Sequence, residues 1–263
     1  MQPESKPESF YKVVRRSLAR RKLKLGEVCP PHSIIARRVL EEYGAIFVAS
    51  ERVAVPPVAV FTSQDEAEEF QRRAGWKRAR VADTEIELQP AALDCLLEAR
   101  RAAQGEGFDI TPRGGREAAR RSFDDSLRLW NSRFLPALQH WTECERLAAE
   151  EAAQLQNLAI EEQVAAVLEL ENQDVFFSKD FTKSILYSVA APGASQHISM
   201  LAFDVAEFQT KAVREILAAH GWFQTVWSDL PHFTFLGWRE RELPKRGLKK
   251  VEMAEQIFWI PNV

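Results

Sequence analysis

No stretch of this chain approaches the ~18 consecutive apolar residues of a membrane-spanning helix, so none of it reads as crossing a bilayer. Cysteine is scarce. Cys29, Cys95 and Cys144 stand far apart with no C-x-x-C pair, which excludes a zinc knuckle and a disulfide framework and leaves ordinary thiols. There is no Gly-rich phosphate loop, internal repeat or low-complexity linker. Basic and aromatic residues do not interleave on strand-like segments, so nothing points to nucleic acid. A formal net charge of −3 selects no class of partner. The N-terminal M-Q-P-E-S-K-P-E-S-F lacks the apolar h-region of a secretory signal. The expectation is a cytoplasmic protein, or one exported by a segment outside this sequence.

What is present suffices for a full core. The 263 residues are 46% apolar and 28% charged, an ordinary globular balance. Near the N-terminus, Phe10, Val14 and Leu18 form one apolar helical stripe, with arginines and lysines mostly elsewhere. Two readings fit: a basic helix on an anionic membrane surface, or a solvated helix packed on the domain. The second is favoured because acidic residues elsewhere balance the charge. Ser33 caps a second helix that closes at Gly44, and 45–49 and 58–61 read as short strands. Ser63 and Glu66 have capping-box spacing before a helix ending at Gly75. This opening, residues 1–87, carries no chemical motif and reads as an accessory α/β subdomain.

The second unit, 88–263, starts with a helix begun by Pro90 and ended at Gly105 and Gly107. A short strand at 108–110 then presents Arg113, whose guanidinium could bind a carboxylate bidentately; two glycines after it allow close backbone approach. Arg116 competes for that role. Residues 116–134 and 136–170 read as helices. The second has core spacing from Leu138 through Trp141, Cys144 and Leu155 to Ala159, with His140 off the stripe.

Chemistry concentrates between Gly193 and His232. Residues 184–190 and 201–205 read as strands, the latter with Leu201, Phe203 and Val205 on one face and Ala202 and Asp204 on the other. Residues 207–220 read as a helix, with His220 at its C-terminus and outside the site. W-F-Q-T-V and H-F-T-F-L read as hairpin partners across S-D-L-P, with His232 and Thr234 sharing a face. His197, Asp204 and His232 are therefore candidate ligands. Two neutral imidazoles and a carboxylate suit a catalytic zinc ion and leave a fourth position open. Either histidine alone is an ordinary buried or surface residue more often than a ligand; the combination points to metal. His197 and Asp204 are seven residues apart, which on one straight strand aims them at opposite faces. The metal reading therefore requires a turn near 199–200.

The stretch Ser195-x-His197-x-x-x-x-Ala202-x-Asp204 is preceded by Pro192-Gly193 and followed by a helix, G-W-F and Asp229-x-x-His232. It resembles the VanY-type D-alanyl-D-alanine carboxypeptidases, zinc peptidases of the fold shared with lysostaphin-like and hedgehog domains. Their pattern is S-x-H-x-x-G-x-A-x-D, then E-x-W-H, with an upstream S-G-Y-R. The resemblance covers about 88–237 and is most specific over 192–237. It implies Zn2+ on His197, Asp204 and His232, with Asp229 at the general-base position. It also implies Arg113 as the substrate-contacting arginine, aided by Ser195. Met200 stands where the family has glycine, Thr111-Pro112 replace the residues before the arginine, and 136–170 is a helical insertion. Asp229 replaces glutamate and is one C–C bond shorter.

The implied activity is hydrolysis of D-Ala-D-Ala-terminated peptidoglycan peptides or the dipeptide. The alternatives are a peptidoglycan-binding module without turnover, which Asp229 favours, and a peptidase cutting another cell-wall bond. Such substrates point to the cell envelope, against the missing signal. The expected fold is α+β: an antiparallel sheet carrying the zinc site, flanked by helices, with the N-terminal α/β subdomain beside it.

Overall fold

Capping residues and apolar stripes set most of the helices. The structure, a computed structural model, describes residues 8–253 and 255–263; residues 1–7, part of the segment read for a secretory signal, lie outside the described residues. In α1 (Phe10–Arg20) the stripe Phe10, Val14 and Leu18 is fully buried in the protein's own core, as a helix packed on the domain requires. A short α2 (Leu25–Val28) leads to α3 (Ile34–Tyr43), where the Ser33 hydroxyl accepts from the Ala36 amide at 3.1 Å. Ser63 caps α4 (Gln64–Ala74), and the Glu66 carboxylate reaches back to the Thr62 amide at 2.8 Å. A hairpin, β1 (Lys77–Val81) with β2 (Thr84–Leu88), buries Val81, Ile86 and Leu88 on one face and turns charged pairs to solvent on the other, and those charges blur its alternation in the sequence. Next comes α5 (Pro90–Gly105), as its proline predicts.

Several expected strands are not strands. Residues 45–49 lie in a 3-10 segment, Gly44–Val48, and its end. Side chains take the carbonyls a sheet would have used: Ser17 on Phe47 at 2.7 Å, Trp238 on Val48 at 2.8 Å and Arg21 on Ala49 at 2.8 Å. A short apolar run does not by itself tell a strand from buried helix. Residues 58–61 make only single links, Ala59 to Val28 and Phe61 to Gly193. Residues 108–110 form no strand either; the chain makes one isolated bridge, Pro112 to Val205. The 184–190 segment holds a 3-10 turn, Ile185–Tyr187, capped by Ser184, with the Glu171 carboxylate accepting from the Ile185 amide at 2.6 Å.

The helical region regroups as well. α6 (Phe123–Glu143) runs through Pro136, and the chain breaks at Glu145 (φ 57) before α7 (Ala149–Asn157) and α8 (Ile160–Glu171). Leu138 and Leu155 are buried as their spacing predicts, but on separate helices, and Cys144 is exposed.

The remaining elements are β3 (Ala202–Asp204), α9 (Lys211–Ala219), β4 (Trp222–Phe223), β5 (His232–Phe235), β6 (Leu248–Met253) and β7 (Gln256–Pro261). Helix α9 starts later than the sequence suggested, and β4 is shorter. Strands β3, β5 and β4 form one antiparallel sheet in that order, and β6 pairs with β7. The architecture is α+β. One core contains Phe10 and Leu40 from the first 87 residues together with Leu96, Trp130 and Trp222. No described helix is long and apolar enough to cross a membrane, and the three cysteines are free thiols.

Gly193 fixes the loop that leads into the site. Its φ is +77°, and a Cβ there would lie 1.9 Å from the Phe61 carbonyl oxygen. The left-handed conformation alone costs a side chain roughly 1–2 kcal/mol, and the overlap forces the backbone to move. Gly193→Ala is expected to lower unfolding stability by more than about 3 kcal/mol, among the larger single-site effects. Urea denaturation checks it; a loss below about 1 kcal/mol would show that the loop yields easily.

Candidate metal centre

Antiparallel pairing brings the acid and one histidine together. Asp204 on β3 lies directly opposite His232 on β5, so the two side chains share a face. His197 arrives from a 3-10 turn, Gln196–Ser199, and the chain reverses into β3 at Met200, which adopts φ 57 and ψ 30. The turn demanded by the seven-residue spacing is therefore present. A methionine there holds the left-handed conformation that glycine adopts more easily.

His197 Nε2, His232 Nδ1 and Asp204 Oδ1 form a triangle with edges of 3.1, 3.2 and 3.3 Å. Ligands about 2.0–2.1 Å from a tetrahedral zinc ion are spaced by ~3.3 Å, so the triangle has the dimensions of three tetrahedral corners. These three buried residues could hold a metal ion.

The surrounding hydrogen bonds fix which nitrogens carry protons. His197 Nδ1 faces the Ala119 carbonyl at 3.2 Å, which can only accept, so the proton sits on Nδ1 and Nε2 presents its lone pair. Gln196 donates its amide nitrogen to the Tyr43 carbonyl at 2.7 Å, so its oxygen is the acceptor that faces His232 Nε2 at 2.9 Å. Thr234 donates to the same oxygen, and Thr225 and Thr234 share a hydroxyl hydrogen bond. His232 therefore also turns a bare nitrogen, Nδ1, to the centre. With both rings neutral, two imidazole lone pairs and a carboxylate oxygen converge. A proton could serve them only by splitting one N–H between two acceptors, whereas a metal ion bonds all three. Backbone carbonyl and amide partners on the far side of ligand imidazoles are a common support for metal sites.

Electrostatics agree. Desolvation lowers His197 from its ordinary 6.5 to about 4, the Arg121 charge adds to that, and Asp204 opposes it. Burial works to raise the Asp204 carboxyl, but interactions with His197 and then His232 outweigh it and hold it well below the carboxylate range. Arg121 binds the other Asp204 oxygen at 2.8 Å. In the metal-free protein His197 stays neutral when folded, while the unfolded chain takes up a proton below pH 6.5. Stability is therefore complete above pH 6.5 and is lost as the pH falls toward 4, by on the order of 3 kcal/mol. Urea titration of chelator-treated protein at both ends of that window checks it. A flat profile would contradict the buried neutral imidazole.

His197 and His232 line a cavity of about 230 Å³ that Ser195, Asp229, Arg121, Arg133, Tyr43 and Tyr187 also line. Asp229 lines it with exposed surface yet is crowded by protein. Desolvation raises its carboxyl above the usual range, while His232 and the Arg121 and Arg113 charges work the other way. Its backbone carbonyl accepts from the His232 amide at 3.1 Å, so the short S-D-L-P turn ties base candidate and ligand together.

Arg113 is not among the residues lining the cavity, although its charge acts on the Asp229 carboxyl. Its backbone amide bonds the Asp204 carbonyl at 2.9 Å, but its exposed side chain lies over the Phe208 ring, 5.2 Å from the centroid. Arg116 is exposed and lines a different surface depression. The arginine at the centre is Arg121, which reading in sequence order missed inside R-E-A-A-R-R. Its neighbour Arg120 turns away to Gln71, Glu87 and Trp76. Gln196 was missed too, although it precedes His197; nothing local marks it as the partner of a histidine 36 residues on. His220 caps α9 through Nδ1 to the Ile216 carbonyl at 2.7 Å, outside the site as expected.

No family model matches the chain, and no curated protein matches it.

Proposed function

We propose that the protein is a zinc-dependent D,D-carboxypeptidase or dipeptidase of the VanY type, acting on D-Ala-D-Ala-terminated peptides of the peptidoglycan class. One observation carries the reading: three ligand atoms spaced for a tetrahedral ion, two of them on histidines lining a cavity that also holds a free carboxyl, Asp229. His197, Asp204 and His232 would hold the ion. When bound, it supplies Lewis acidity and makes water acidic enough to attack near neutral pH. Asp229 takes the proton of the attacking water and returns it to the departing amine, work suited to a carboxyl raised by desolvation. Arg121, anchored on Asp204 and on the Glu117 carbonyl at 2.9 Å, places positive charge on the cavity wall where negative charge develops on the scissile carbonyl. Ser195 offers a hydroxyl on the same wall.

A binding module without turnover is the second reading, favoured by the shorter Asp229. Metal analysis of purified protein, followed by assay of D-alanine release from a D-Ala-D-Ala peptide, separates the two. About one zinc per chain with released D-alanine is expected. Bound zinc and bound peptide with no product at any pH would leave the module. Absence of a bindable metal would reject the zinc peptidase.

A further inference from the structure

We infer that Arg133, on α6, reads a free carboxylate at the end of the bound peptide; this deepens the peptidase proposal and rests on it. Two guanidinium groups line the cavity. Arg121 is committed to Asp204. Arg133 has no carboxylate partner among the described residues: its Nε donates to the Ser188 hydroxyl at 2.9 Å and its Nη1 to the Ser132 hydroxyl at 3.0 Å, both neutral. Five residues earlier on the same helix, the more exposed Arg128 pairs with both Glu117 and Asp125. Asp229 lines the same cavity and makes no ion pair with Arg133. A half-buried cation without a counter-charge, its fork pinned by Ser188, is prepared for an anionic ligand, and a planar guanidinium matches a carboxylate in two-pronged fashion. A peptide placed with its end on Arg133 must end in a free acid. That selects a terminal bond over an internal one.

The test measures affinity of the zinc-loaded protein for N-acetyl-D-alanine and for N-acetyl-D-alaninamide. Neither contains the D-Ala–D-Ala bond, so binding is read without turnover. The acid is expected to bind about 10–100-fold more tightly than the amide, the range of a hydrogen-bonded charge. Arg133→Gln should erase that ratio, and Arg133→Lys should restore part of it. Equal affinity of wild type for the two probes overturns the inference, as does a preference that survives in Arg133→Gln or a failure of both probes to bind. Should Arg133→Gln not fold, the ratios in wild type and Arg133→Lys decide. A preserved acid preference with no D-alanine released from D-Ala-D-Ala rejects turnover while the carboxylate subsite stands.

Discussion

His232→Ala is expected to leave the purified protein without stoichiometric zinc and to lower D-alanine release by about a thousandfold or more. The ion's Lewis acidity is worth several kcal/mol at the barrier, and each 1.36 kcal/mol is a factor of ten. The substitution removes one corner of a triangle whose other two atoms remain 3.3 Å apart, with no third His, Cys, Asp or Glu ligand grouped with them among the described residues. A graded companion sharpens the result. Gln196→Ala keeps all three ligands but frees His232 Nε2 from the acceptor that fixes its tautomer, and should weaken metal affinity by about 10–100-fold. Zinc content and turnover unchanged in His232→Ala would end the metal assignment, whatever the cavity binds.

Asp229→Asn should keep the zinc and lose roughly 10²–10⁴-fold in kcat, the contribution expected of a positioned acid–base group. Zinc content and activity thus fall together in His232→Ala and come apart here. Because desolvation raises the Asp229 carboxyl, the acid limb of the wild-type pH–rate profile should lie above the usual carboxylate range, and it should disappear in the variant. Asp229→Glu restores the missing C–C bond of reach. A displacement near 1 Å is worth on the order of 100-fold in rate, so the glutamate variant reports whether the turn already places Asp229 correctly. Faster turnover means the aspartate is short; slower turnover means the S-D-L-P turn has compensated. A kcat indifferent to Asp229→Asn would mean another group carries the proton.

The buried His197, Asp204 and His232 group was legible in the sequence from residue type, and for Asp204 and His232 from alternation as well. Asp204 and His232 lie on short strands whose apolar neighbours, Phe203 and Phe233, mark the other face, and pairing in register sets acid against imidazole. Helix starts were equally readable, since Ser33 and Ser63 accept from amides three positions on and Pro90 fixes its own φ in a first turn. Short apolar runs misled. At 45–49 and 184–190 hydrophobicity reports burial, and distant partners such as Trp238 and Glu171 choose the backbone conformation.

By its own order of residues the chain determined the helix starts at Ser33, Ser63 and Pro90, the alternation of faces at 201–205 and 232–236, and the need for a reversal near Met200, because each depends on neighbours or on side-chain periodicity. Tertiary structure alone decided which arginine meets Asp204, which amide sets the His232 tautomer, and that Arg113 rests on Phe208. Those choices depend on directions in space between segments tens of residues apart, and no local spacing encodes a direction.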